Sequence, residues 1–258
     1  WGFSTGSVHC QWVVLGAMIP PAEAGGAPEM RAFLLPRSDY TIDTDSWHVF
    51  GLQGTGSHDV IVDDVFVPAY RTHRSIDGFL CTNPGQETNP GPLYTLPWAQ
   101  VFMRSVSTAA FGGARAAIEA AIEIAQSRVS TNTGKASKDD PFMNAAIARA
   151  HAEVTEMEQT LRLTFEDLMG YAERGEPIPM EKRTHYAYNS ASVVRRMADL
   201  VDDMVKLLGG RAIYMSSPIL QPWLDLHAGR AHVANDPANR TADLVGSLLG
   251  KQPSFTFL

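Results

Sequence analysis

The sequence has few cysteines, no dense run of basic residues and no long apolar segment. Cys10 and Cys81 are its two cysteines, and neither lies in a CxxC pattern. This composition does not indicate a disulfide framework or a cysteine zinc site, and a reducing cytoplasm is the expected location. Acidic residues outnumber basic ones, 28 to 21, which argues against a nucleic acid or a membrane surface as partner. No segment reaches the roughly 18 apolar residues of a membrane span.

The chain has the composition of a globular protein. It contains 258 residues, of which 45% are hydrophobic, and this is enough to bury a sizeable core. It opens with Trp1 rather than methionine, in a stretch typical of the middle of a strand. We therefore expect that it is truncated at its N-terminus.

Residues 1–75 are predicted to form a β domain. Short β-rich runs at 11–15, 31–36, 47–50 and 59–62 are each bounded by Gly, Pro, Asp or Ser. The alternation changes phase at Asp63 and Asp64, which indicates a bend or bulge. Residues 76–96 are rich in Pro and Gly, and they are predicted to form a linker.

Residues 97–234 are predicted to form an antiparallel helical bundle, followed by a tail over 235–258. Apolar residues recur at helical spacing over 101–128, after Pro141, and from Ala187 to Leu208, where Gly209 and Gly210 end the pattern. A shorter helix is expected over about 222–233. The fold class is therefore α+β.

The glycine-rich stretch 51–57 is the first candidate site. Its backbone N–H groups could hold a phosphate, and Thr55 and Ser57 would supply hydroxyls to a cofactor. The stretch lacks both the GxGxxG order and the Walker lysine, and it leads into a strand. A tight loop with no ligand is the alternative.

The second candidate is His232 with Asp236. On a helix these residues stand one turn apart, so that the carboxylate could orient the imidazole as a general base. His227 and His232 are five residues apart and would face different sides of a helix, which argues against a metal site. The alternative is that both histidines only bond backbone carbonyls.

The third candidate is the run from Trp1 to Ser7, where aromatic and hydroxyl residues meet at a turn. Aromatic faces cover flat rings, and hydroxyls such as that of Ser4 bond their polar edges. An ordinary strand end explains the same residues.

Taken in order, these segments resemble the acyl-CoA dehydrogenase superfamily. The resemblance rests on residues 1–6, 51–60, 65–68 and 207–211, and it implies a middle β-barrel or sandwich domain followed by a four-helix bundle. Residues 138–142 and 227–237 narrow it to the oxygenase components of two-component flavin monooxygenases, among them hydroxylases of phenolic secosteroids and of 4-hydroxyphenylacetate. From the resemblance we expect that this sequence does not include the N-terminal helical domain of the superfamily.

The resemblance implies a reaction. A separate reductase would supply reduced FMN or FAD, which reacts with O2 to give a flavin C4a-hydroperoxide that hydroxylates a small aromatic substrate, a phenol, next to its OH. It also implies a homotetramer, for which the small-residue stripe of Ala187, Ala191 and Ala198 would allow close helix approach. The residues that suit this reaction are His232, Asp236 and Ser4 as catalytic residues, and Trp1, Ser4, Thr55, Ser57, Gly209, Gly210 and Arg104 as cofactor-binding residues. A surface salt bridge would explain Arg104 equally well. No metal is expected.

Two alternatives remain. One is a flavin dehydrogenase of the acyl-CoA type, although the stretch where the superfamily commonly carries a glutamate base reads Val-Ala-Asn-Asp-Pro at 233–237. The other is a truncated, non-catalytic helical assembly.

Overall fold

A computed structural model describes residues 1–21, 23, 25–129, 134, 136–253 and 258. The chain divides into two compact units, Trp1–Trp98 and Ala99–Leu258. In the described part of the chain, no helix combines the length and the apolar character that a membrane crossing requires.

The first unit contains two small antiparallel sheets. Strands β1 (Trp12–Ile19), β2 (Glu29–Pro36) and β5 (Thr72–Arg74) form one sheet in the order β1-β2-β5, and β3 (Thr41–Asp43) pairs with β4 (Asp59–Ile61) in the other. Val13, Leu15 and Leu35 alternate with exposed residues and enter a core that also contains Val60. Among the described residues these sheets do not establish the predicted barrel or sandwich.

Several elements of this unit differ from the sequence expectation. Residues 47–50 were expected to form a strand but have no regular structure, because the Trp47 indole donates to the Leu52 carbonyl at 3.2 Å and folds the segment into a loop. β3 and β5 were not expected, because three residues are too few to show an alternation. Asp64 adopts a φ of 46° just after β4, in agreement with the predicted bend.

The segment predicted as a linker carries local structure. Helix α1 (Ser75–Leu80) and two 3₁₀ turns, Pro84–Glu87 and Pro92–Thr95, occupy most of it. Both turns begin with proline, whose fixed φ suits the first position of a helical turn. These residues belong to the first compact unit.

Three long helices form most of the second unit. They are α2 (Trp98–Ser127), α3 (Pro141–Arg174) and α4 (Met180–Leu208). Side-chain pairs set their directions: Arg149–Asp203 and Lys182–Asp167 show that α3 and α4 run antiparallel. The Ser107–Ser190 bond, with the Gln100 bond to the Arg183 carbonyl, shows that α2 runs parallel to α4.

Two shorter helices pack against α4 in the helical unit. Helices α5 (Leu220–Gly229) and α6 (Ala238–Leu248) both contact α4. The region 235–258 was expected to be a tail, and α6 corrects that expectation. Arg240 and Asp243 are the buried residues of α6, which is why an apolar stripe did not reveal the helix. Residues 254–257 of the expected tail lie outside the described residues.

The small-residue stripe of α4 is used inside its own unit. Ala187, Ala191 and Ala198 are fully buried in a chain without partners, and the last lies in the same core cluster as Ala114 and Ala121 of α2. The stripe therefore lets helices of one chain approach closely. It is not an exposed surface for subunit association, which corrects the reason stated above for the tetramer.

Candidate functional site

The structure brings two of the predicted segments, 1–7 and 51–59, into contact. The Ser4 amide donates to the His58 carbonyl at 3.0 Å, and the Gly6 amide donates to the Thr55 carbonyl at 3.0 Å. The Val60 amide donates to the Trp1 carbonyl at 2.8 Å. The opening segment thus lies alongside β4 and the glycine-rich loop as an extra, irregular strand. We call this arrangement the hydroxyl corner, defined as residues 1–7 with 51–59.

Three hydroxyls of the hydroxyl corner form one chain of hydrogen bonds. Thr55 Oγ1 donates to the Leu52 carbonyl at 2.8 Å, so its single proton is used. Ser57 Oγ, 2.7 Å away, must then donate to Thr55. Thr5 Oγ1 donates in turn to Ser57 at 2.8 Å. Their protons are committed within the chain, which leaves oxygen lone pairs to accept a ligand N–H.

The backbone of the hydroxyl corner is bent into unusual conformations. Phe3 and Leu52 have φ values of 61° and 56°, and Gly6 and Gly56 have 71° and 50°. Positive φ in a residue other than glycine costs free energy and is concentrated at functional sites. Of the four residues other than glycine with positive φ in the described chain, two, Phe3 and Leu52, lie in the hydroxyl corner.

The hydroxyl corner fits a flat heteroaromatic cofactor. Two buried polar atoms, Ser7 Oγ and His58 Nδ1, have no hydrogen-bond partner in the described structure, although buried polar groups are normally satisfied. The rings of Trp1 and Phe3 are exposed, 54% and 77%. The Trp1 ring lies close to Gly16 of β1: a Cβ built there would be 3.0 Å from the ring, with Met30 Cε nearer still. Aromatic faces and polar acceptors are what a flavin ring system needs.

The predicted glycines at 209 and 210 lie in the helical unit, where the backbone accounts for the first of them. Gly209 ends α4 with φ 64° and ψ −153° and donates to the Val205 carbonyl. That conformation is essentially restricted to glycine. No atom lies within 4 Å of a Cβ built at Gly210, so that position has no such demand.

Arg104 is buried in the helical unit rather than in a surface ion pair. Its guanidinium donates to Gln100 Oε1 at 3.0 Å and to Thr164 Oγ1 at 3.2 Å, and it stacks 5.6 Å from the Phe165 ring centre. Burial lowers the pKa of Arg104 to about 10, and nearby Tyr186 opposes that shift. These hydrogen-bond partners are neutral, and the role of Arg104 toward an anionic ligand stays a prediction.

His232 and Asp236 do not form the predicted pair. Helix α5 ends at Gly229, so the two residues are not one helical turn apart. His232 Nδ1 accepts the Ala234 amide at 3.1 Å, whereas Asp236 Oδ1 accepts the Ala238 amide at 3.0 Å. Helix α5 was expected to continue to about residue 233, but it ends at Gly229, and the chain turns at Arg230, Ala231 and His232. The expectation that Asp236 orients His232 was wrong.

His232 can still act as a functional side chain without that carboxylate. It is an exposed residue of the helical unit, and its ring centre lies 6.5 Å from that of Phe102. Desolvation by the surrounding protein lowers the pKa of His232 below its usual value. A neutral imidazole near pH 7 is therefore favoured.

A different histidine–carboxylate pair exists, and sequence reasoning missed it. His227 Nε2 lies 2.8 Å from Asp202 Oδ1, which also accepts the Trp223 indole N–H at 2.6 Å. Trp223 and His227 are four residues apart on α5 and therefore share one face of the helix. This spacing was the sequence signal from which a common partner could have been predicted. Asp202 thus ties α5 to α4.

No cluster of three or more potential metal ligands occurs among the described residues.

The predicted site residues are distributed over both compact units. Trp1, Ser4, Thr55 and Ser57 belong to the first, and Arg104, Gly209, Gly210, His232 and Asp236 belong to the second.

Comparison with known proteins identifies the family. The model described as "Acyl-CoA dehydrogenase, C-terminal domain" matches residues 105–237, more than half of the chain. The chain belongs to this family.

Individual relatives share most of the chain. It is 35% identical over 238 residues to the flavin-dependent monooxygenase oxygenase subunit HsaA of Rhodococcus jostii, covering 92% of this chain and 62% of that protein. It is 32% identical over 258 residues to a pigment production hydroxylase of Rhodococcus erythropolis, covering 98% and 65%. The crystal structure of 3-HSA hydroxylase from Rhodococcus sp. RHA1 superposes with a TM-score of 0.91 at 33% identity, covering 100% and 66%. The chain thus spans less than two thirds of the length of these relatives.

Proposed function

We propose that this chain belongs to the oxygenase component of a two-component flavin-dependent monooxygenase that hydroxylates a phenol. The observation that carries the proposal is the hydroxyl corner, in which hydroxyl acceptors from two separate segments meet, and whose opening segment also carries the exposed aromatic residues Trp1 and Phe3. The similarity to HsaA and to a pigment production hydroxylase supports it. The proposed partners are a separate flavin reductase, O2 and a small aromatic substrate.

The proposed cofactor is reduced FMN or FAD. Trp1 would cover one face of the ring, Thr55 and Ser57 would accept hydrogen bonds from its polar edge, and Ser4 would accept or donate one there. When bound, reduced flavin supplies activated oxygen for transfer to the substrate. Exposed apolar rings such as Trp1 and Phe3 would exclude water from the reacting atoms, which protects activated oxygen from loss as hydrogen peroxide.

The proposed catalytic residue of the helical unit is His232, acting on the phenolic oxygen. Oxygen transfer is easier to an electron-rich phenolate than to a phenol, so a group that favours the phenolate accelerates the step. Asp236 is no longer proposed as its orienting partner, because its carboxylate accepts the backbone N–H of Ala238, the first residue of α6. We further propose that the β unit forms a closed β-barrel or sandwich and that the protein is a homotetramer, as the family resemblance implies. A cytoplasmic location is proposed from the low cysteine content.

The test is His232→Ala in the full-length protein supplied with reduced flavin and a phenol. We expect hydroxylation to fall by about 10²–10⁴-fold, the range typical of losing a positioned acid–base group or hydrogen-bond donor, while hydrogen peroxide release rises. Flavin binding should not change, because the proposed flavin residues lie elsewhere. His151→Ala, on the exposed side of α3, is the matched control. Normal coupling of oxygen to product in His232→Ala would remove His232 from the site.

A further inference from the structure

The protonation of His232 follows from the bond at its Nδ1 atom. Nδ1 accepts the Ala234 backbone N–H at 3.1 Å, as the N-cap of the 3₁₀ turn Val233–Asn235. An imidazole nitrogen that accepts a hydrogen bond carries a lone pair and no proton. The neutral ring therefore carries its single proton on Nε2.

The loop around His232 is held in this arrangement by Asn235. Its side-chain amide donates to the Gly229 carbonyl at 2.8 Å, and its backbone amide donates to the His232 carbonyl at 2.8 Å. Asn235 is buried, with 2% of its surface exposed. These bonds fix the backbone on both sides of His232, so the Ala234 amide stays directed at Nδ1.

The charged form of His232 does not fit this loop. An imidazolium carries protons on both nitrogens, so protonation would place Nδ1–H against the Ala234 N–H and break the cap. The Asp236 carboxylate, which could have stabilised the cation, is bonded to the start of α6. The lowered pKa of His232, caused by desolvation, agrees with a ring that stays neutral.

Building on the proposed function, we infer that His232 contacts the phenolic oxygen as a hydrogen-bond donor through Nε2–H, and does not act as the base that removes the phenolic proton. Nε2 already carries a proton, and the Nδ1 lone pair is engaged by Ala234, so neither nitrogen is free to accept another. The phenolic O–H bond instead breaks to water, which carries the proton away. The phenolate oxygen that remains accepts the Nε2–H bond, which stabilises the negative charge.

The first test is spectroscopic and needs neither flavin nor turnover. Full-length protein with ¹⁵N-labelled histidine is examined at neutral pH, and the His232 ring signals are assigned by their loss in His232→Gln. We expect the neutral Nε2–H tautomer. A neutral Nδ1–H tautomer or an imidazolium at neutral pH would overturn the inference, whatever the protein's activity.

The second test separates a donor from a base. Glutamine places an N–H donor near the position of Nε2 but has no basicity, so His232→Gln should keep hydroxylation within about 10-fold of wild type, whereas His232→Ala loses about 10²–10⁴-fold. Product formed per O2 consumed is the readout, with His151→Gln as control. Equal losses in Gln and Ala variants would contradict the donor role while leaving the proposed function intact. No loss in either variant would contradict the proposed site itself.

Discussion

The residues around His232 show how one backbone amide decides the chemistry of a side chain. The Ala234 N–H donates to His232 Nδ1, where a hydrogen bond to the Asp236 carboxylate was expected. Asp236 instead accepts the Ala238 N–H in the first turn of α6. His232 itself was predictable from the sequence as a candidate. Its partner was not, because the end of α5 at Gly229 changes which side chains can meet, and a spacing of four residues is informative only inside a helix.

Asp236→Asn provides a direct check at this scale. Asparagine can accept the same amide bond from Ala238, and the structure gives Asp236 no contact with the His232 ring. Hydroxylation and coupling in the variant should therefore equal wild type, and stability should change by less than about 0.5 kcal/mol. A loss of coupling comparable to that of His232→Ala would show that the pair forms after all.

At the scale of elements, helix periodicity located α2 almost to its ends, together with the start of α3 and the end of α4, because each has a long apolar stripe. The start of α4 at Met180 was missed, because the predicted run began only at Ala187. The pairing of segments 1–7 and 51–59 was not visible in the same way. It depends on contacts across more than 50 residues and on positive φ values at Phe3 and Leu52, which no local pattern signals. The residue types in both segments made each a candidate site, but only the structure shows that the two segments are in contact.

The end of α4 offers a matched pair of glycine substitutions. Gly209→Ala should lower the free energy of unfolding by about 1–3 kcal/mol, because alanine cannot adopt φ 64° with ψ −153° without strain. Gly210→Ala should have an effect of less than about 1 kcal/mol, because its φ is not positive and space is open around it. Urea unfolding of both variants measures the difference, and equal effects would contradict the backbone explanation.

The α3–α4 hairpin should respond to acid through Asp167. Its carboxylate accepts Lys182 Nζ at 2.7 Å and Tyr186 Oη–H at 2.8 Å, and the Lys182 bond, reinforced by that of Tyr186, holds the pKa of Asp167 below its usual value. Because the folded-state pKa is the lower one, the stabilisation is complete above the unfolded-state pKa of about 4 and is lost as the pH falls through the folded-state value.

Asp167→Asn removes this titration and tests it. Wild type should exceed the variant in stability at pH 7, and the difference should shrink as the pH falls below about 4. Urea unfolding across this range provides the measurement, with the exposed Glu181→Gln as control. A difference that does not depend on pH would contradict the assignment.

At the scale of the whole molecule, the chain joins a β unit that carries the hydroxyl corner to a helical unit that carries His232. The α+β class and the family were accessible from the sequence, because periodicity changes from two to 3.6 residues near the unit boundary and short motifs occur in the family's order. The small-residue stripe shows the limit of such patterns. Ala187, Ala191 and Ala198 are buried within one chain, and periodicity alone does not distinguish an internal helix contact from one between subunits.

The central claim is that the full-length protein transfers one atom of O2 to a phenol. The most direct measurement supplies it with a reductase-generated reduced flavin, a phenolic substrate and ¹⁸O-labelled O2, and analyses the product by mass spectrometry. We predict a hydroxylated phenol carrying one ¹⁸O atom, formed only when both reduced flavin and O2 are present. A product whose new oxygen comes from water, or an acyl thioester oxidised without oxygen transfer, would contradict the account.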